Sequence, residues 1–128
     1  MNHEKIDRLL KKSQKYLQSA AVLLELEDFD STVSRAYFAM FYAAQALLLR
    51  NRRTLPRNHG LRTAFIESYV TTGRLPERAG IAFNDAANLQ EMADYGFDFA
   101  MTKDAAEHIL QEAEAFVNSL ALLAEETA

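Results

Sequence analysis

The chain has no cysteine, and its 128 residues include only two prolines and four glycines. Without cysteine there is no disulfide, no thiol nucleophile and no thiolate metal site, which fits an intracellular protein. So few helix breakers, with no apolar and polar residues alternating in strand fashion, point to helices almost throughout. The opening MNHEKIDRLLKK never reaches the uninterrupted apolar segment of a secretory signal, so a cytoplasmic location is expected. Phosphate-cradling loops of the GxGxxG or GxxxxGK[ST] type are missing, and no GxSxG elbow supports a serine nucleophile. His3, His59 and His108 are far apart and fall in no HExxH-like spacing, so neither a metal nor a cofactor is expected.

What the chain does have is one long apolar run. From Ala36 to Leu49 the only strongly polar side chain is Gln45. A helix without a polar face must be surrounded by protein or lipid. Lipid is excluded by length, since a span takes about 20 apolar residues and this run is closed by Arg35 and by Arg50, Arg52 and Arg53. The run therefore reads as the central helix of a bundle. Its polar groups, Ser34, Arg35, Tyr37, Tyr42 and Gln45, are expected to find partners in or near the core. A chain of 128 residues suffices for one domain, 1–128, that buries roughly two-thirds of its unfolded surface.

The net charge of −4 conceals segregation. Ser31 to Ile66 carries six arginines (Arg35, Arg50, Arg52, Arg53, Arg57, Arg62) and no acid, whereas from Thr102 onward Lys103 stands against six carboxylates. Arg8, Lys12 and Lys15 form a further basic stripe on the first helix. Such patches attract phosphates even on an acidic protein. They also complement helix C-termini or stay solvated.

Periodicity predicts five helices. The first runs from about Glu4 to Leu26 with Ile6, Leu9, Leu10, Ser13, Leu17, Ala20 and Leu24 on its apolar stripe. Asp30 or Ser31 caps the second. The third starts near Asn58 and ends near Thr72, with Gly73 in the left-handed position beyond it. Pro76 suits the first turn of the fourth, which turns Ala79, Ala82, Phe83, Ala86, Leu89 and Ala93 inward. Thr102 caps the fifth, whose stripe runs from Ala106 to Leu123.

His59 stands beside the arginine-rich stretch. A histidine there can serve as acid or base on a phosphodiester while Arg53 or Arg57 holds the phosphate. RNA supplies its own 2′-hydroxyl nucleophile, so these groups suffice for metal-independent cleavage. His59 can equally be a residue of the helix N-terminus bonded to backbone.

Ser34 to Ala44, SRAYFAMFYAA, resembles the SRxYYAMFxAA signature of the HEPN family. Asn58-His59-Gly60 followed by Phe65, and Ala93-Asp94-Tyr95, are similar to two further elements of its prokaryotic subgroup. The similarity extends from about Ile6 to Leu123. It implies an all-α, up-and-down bundle of four main helices plus a shorter fifth, usually a homodimer. Many members partner a minimal nucleotidyltransferase in a toxin–antitoxin pair, and others are ribonucleases with an R-x(4–6)-H motif late in the bundle. Here Gln90 stands where arginine is common and Asp94 falls near the histidine position, so the usual nuclease centre is degenerate. The same spacing is met elsewhere by Arg53 and His59, with five residues between, in a different part of the chain from the family motif.

The expectation is thus an accessory or binding protein that engages nucleotide or RNA through Arg35, Tyr37, Tyr42, Arg52, Arg53, His59 and Asp94. Tyr95 is the implied position for modification by a nucleotidyltransferase partner. Within the bundle, Arg35 is expected to pair with Asp94. The alternatives are an endoribonuclease toxin using His59 with Arg53 or Arg57, and a non-enzymatic dimeric interaction domain.

Overall fold

The computed structural model describes residues 3–51, 59–97 and 100–126. Among the described residues there are five α-helices: α1 (His3–Glu25), α2 (Phe29–Arg50), α3 (His59–Phe65), α4 (Glu77–Tyr95) and α5 (Lys103–Glu126). A π-helical turn, Ile66–Val70, continues α3. The architecture is the expected all-helical bundle of four long helices and one short one. No helix among the described residues is long and apolar enough to cross a membrane.

α2 is the axis, and α1, α3, α4 and α5 all pack against it. From Ala36 to Arg50 none of its residues is exposed, as its missing polar face requires. The small side chains Ala36, Ala39, Ala43 and Ala44, all fully buried, let the neighbouring helices approach closely. Ser13 is the polar group on the inward stripe of α1, and its hydroxyl donates to the Ala39 carbonyl at 2.7 Å. Phe65, Phe83 and Phe116 bring α3, α4 and α5 together, with ring centroids 5.0 to 5.7 Å apart.

The helix ends differ in detail from the sequence expectation. The cap of α2 is Asp28, two residues before Asp30, and its carboxylate accepts from the Ser31 N–H at 3.3 Å. The α1–α2 turn closes through Glu27, which takes a left-handed φ of 63°. Bonds from the Asp28 N–H to Leu23 and from the Glu27 N–H to Leu24 satisfy the last carbonyls of α1. Helix three is α-helical only to Phe65, because the π turn adds a residue there. Tyr69 then stacks on Phe65 and donates its hydroxyl to the Leu47 carbonyl at 2.8 Å.

Gly73 does occupy the left-handed region, at φ 83°. Pro76 sits one residue before α4. Thr102 does cap α5, accepting from the Ala105 N–H at 3.1 Å. Arg50 donates to the Ala124 carbonyl near the end of α5, so one of the clustered arginines serves a helix C-terminus.

Candidate functional site

Where α1, α2 and the end of α4 meet, a cleft of about 330 Å³ opens, lined by Tyr16, Ser31, Ser34, Arg35, Phe38, Tyr42 and Asp94. Its volume lies at the small end of ligand sites, roughly 300 to 1,000 Å³. α2 builds most of it: Ser34, Arg35, Phe38 and Tyr42 fall at helical spacing on one side. α1 adds Tyr16, whose ring meets Tyr42 edge-on with centroids 5.2 Å apart. Both rings are covered by cations. The Arg35 guanidinium lies 4.8 Å from the Tyr16 centroid, and the Lys12 ammonium lies 4.5 Å from that of Tyr42.

Asp94 closes the cleft from α4. Its Oδ2 accepts from the Ser34 hydroxyl at 3.1 Å and from the Gln90 amide at 2.5 Å. The expected pair of buried Arg35 with Asp94 is not formed. Arg35 is exposed, and among the described residues no ion pair joins it to Asp94. The reason is competition: Tyr16, invisible as a partner in the sequence, offers the guanidinium an aromatic face, while neutral donors satisfy the carboxylate. Arg35, Tyr42 and Asp94 nevertheless share one cleft.

Phe38 separates this cleft from a second of about 210 Å³, lined by Tyr37, Phe38, Arg62, Ala87, Gln90, Glu91 and Tyr95. Burial pushes the Tyr37 phenol above its ordinary pKa of 10.0, opposed by the Arg62 guanidinium that hydrogen-bonds it. Arg62 also donates to Asn84 Oδ1 at 2.8 Å, so α3 is tied to both α2 and α4. Tyr95 lies at the rim with 78% of its surface exposed.

Sequence reasoning missed Tyr16 and the placement of Arg62. The Lys12–Tyr16 spacing of four residues on a basic helix was the available signal for the first. Only tertiary structure reveals the second. Arg52, Arg53 and Arg57, and the side chain of His59, lie outside the described residues. Of the latter, α3 fixes only the start of a helix at position 59. Among the described residues no group of three or more acids and histidines is placed to hold a metal.

The sequence model of the HEPN domain matches residues 6–123, which takes in α2, both clefts and most of α1 and α5. The chain belongs to the HEPN family. Of its relatives, "Putative toxin MJ0142" of Methanocaldococcus jannaschii is 30% identical over 113 residues, 88% of this chain and 77% of the relative. "Putative toxin MJ0605" of the same organism is 33% identical over 117 residues, covering 91% of this chain and 87% of the relative. A "UPF0332 protein" of Thermotoga maritima is 28% identical over 116 residues, or 91% and 88% of the two chains. Within this HEPN bundle, Gln90 and Asp94 are in contact on one turn of α4. Neither offers the positive charge that a phosphate-cleaving centre needs, because an amide is neutral and an ionised carboxylate repels phosphate.

Proposed function

We propose that this HEPN protein is the toxin-like member of a two-protein system and that it binds nucleotide or RNA in the cleft between α1, α2 and α4. The observation that carries the reading is the pairing of Arg35 and Lys12 with the rings of Tyr16 and Tyr42 beside an anchored carboxylate. Aromatic and guanidinium faces stack on bases, and the two cations meet phosphate. Arg52, Arg53 and His59 belong to the proposed contact surface by their position in the arginine-rich stretch. The two archaeal relatives whose printed names contain the word toxin support the system-level part.

The partner in this reading is a minimal nucleotidyltransferase. It transfers adenylate from ATP to the exposed Tyr95 hydroxyl and releases pyrophosphate. A homodimer is part of the same reading, supported by Met92 and Phe97, which leave apolar surface uncovered at and just beyond the end of α4. The degenerate Gln90 and Asp94 positions favour binding over cleavage.

Fluorescence anisotropy of a labelled single-stranded RNA, across a salt series, tests the binding site. Wild-type protein should bind with an affinity that falls as salt rises, and Arg35→Ala with Tyr42→Ala should abolish it. Absence of salt-dependent binding in the folded protein refutes the site. RNA cleavage in EDTA that disappears in His59→Ala would replace the reading with the nuclease one. Incubation with the neighbouring nucleotidyltransferase and ATP should add one adenylate mass to Tyr95 and none to Tyr95→Phe.

A further inference from the structure

The geometry of Asp94 goes beyond a general preference for nucleotides. Ser34 on α2 and Gln90, one turn earlier on α4, both donate to the same oxygen, Oδ2. Two donors from different helices fix the rotation of the carboxylate. Among the described residues nothing donates to Oδ1. The Arg35 cation lies over Tyr16 instead of neutralising the group. The cleft therefore presents one oriented, uncommitted, anionic acceptor beside aromatic and guanidinium faces.

We propose that Asp94 reads the base and selects guanine. This rests on the nucleotide-binding reading above. Guanine alone among the four RNA bases carries two adjacent donors, N1–H and N2–H2, with no acceptor between them. The lone pairs of Oδ1 accept both while the base stacks on Arg35 or Phe38. Adenine sets its N6 amino group beside the N1 lone pair, and cytosine sets N4 beside N3. In each the neighbouring acceptor faces the carboxylate and is repelled. Uracil is worst, since its N3–H lies between two carbonyl oxygens. Covering Asp94 with a base removes water from it and enlarges every one of these differences.

The anchoring also dictates what an isosteric replacement does. In Asp94→Asn the donors from Ser34 and Gln90 still require an acceptor, so the carbonyl oxygen of the new amide takes the place of Oδ2. Its NH2 then takes the place of Oδ1 on a residue that lines the cleft. An acceptor site becomes a donor site, and guanine is the base it now rejects.

The experiment is isothermal titration of the full chain with GMP, IMP, AMP, CMP and UMP, repeated on Asp94→Asn after circular dichroism has shown the variant folded. Wild type should bind GMP about ten-fold tighter than AMP or CMP. UMP should be weakest. IMP, which keeps N1–H and lacks the N2 amino group, should fall between GMP and AMP. Asp94→Asn should lose the advantage of GMP and bind UMP at least as well as GMP. A flat ranking in wild type overturns the selectivity; if Arg35→Ala then removes binding of all five, the nucleotide site itself stands. GMP still preferred by Asp94→Asn assigns the selectivity to other groups and also overturns the proposal. Binding of none of the five, and of no RNA, overturns this inference together with the reading beneath it. Should the variant not fold, the GMP and IMP comparison on wild type decides alone.

Discussion

Gly80 is buried inside α4, where a glycine ordinarily signals a neighbour too close for a side chain. The structure says otherwise. A Cβ at this position would lie 3.5 and 3.7 Å from the two γ-methyls of Val70 and 3.8 Å from Ile66 Cγ1, all ordinary van der Waals distances. Its backbone is not among the positive-φ glycines, of which Gly73 is the example here. Gly80→Ala therefore exchanges a flexible helix-interior residue for the best helix former, a gain of about 1 kcal/mol. The added methyl touches the π turn without displacing it, so no overpacking cost offsets the gain. With an unfolding entropy of about 2.1 cal/mol/K per residue, a chain of this length should melt about 3 to 4 °C higher. Thermal unfolding by circular dichroism and urea titration at fixed pH measure both quantities. A lower Tm, or an unchanged one, would refute the contact geometry on which the expectation stands.

Two other changes probe local chemistry. The Tyr69 phenol is pushed above its ordinary 10.0 by burial, as is that of Tyr37. Each folded pKa being raised, the associated stability is fully present below pH 10 and lost as pH rises through the folded values. Urea midpoints should hold steady from neutrality to about pH 9 and fall above about pH 10. Tyr69→Phe should flatten that fall while lowering stability at neutral pH by about 1 kcal/mol, the worth of its hydrogen bond to Leu47. Glu27→Gly should raise stability by up to about 1 kcal/mol, because φ 63° strains an L-residue and suits glycine. A drop in urea midpoint would mean that the glutamate side chain contributes more than its backbone costs.

The central helix was legible because polarity and length are both written in the run from Ala36 to Leu49. The caps at Thr102 and Gly73 were legible because their chemistry is local. The cap of α2 was ambiguous because LEDFDS offers several oxygens within four residues, of which the Asp28 carboxylate takes the Ser31 N–H. The π turn was illegible, since it depends on Tyr69 reaching the Leu47 carbonyl across the bundle. The same distinction divides the site. Arg35, Tyr42 and Asp94 could be placed on neighbouring helices from spacing and family resemblance. Their mutual arrangement depended on Tyr16, which the sequence marks only by its spacing from Lys12, and on Gln90, whose role no local pattern marks.

That arrangement raises the question whether Arg35 and Lys12 hold the bundle together or hold a ligand. Each cation lies over a tyrosine that belongs to a helix–helix contact, so a packing role is physically sufficient. Its size is limited, because exposed cation–π contacts contribute only about 0.5 to 1 kcal/mol. Replacing each cation with methionine separates the two roles, since a methionine keeps an unbranched apolar stem against the ring and removes the charge. In Lys12→Met and Arg35→Met a packing role alone predicts lower urea midpoints and unaltered RNA affinity. A ligand role predicts unchanged urea midpoints with weaker RNA binding, so RNA affinity is the readout that separates the two. The slope of log affinity against log salt should also shrink by about 0.7 for every phosphate of a single strand that the variant no longer neutralises. An unchanged slope in both variants would place the phosphates elsewhere on the protein and leave the two tyrosines as architecture alone.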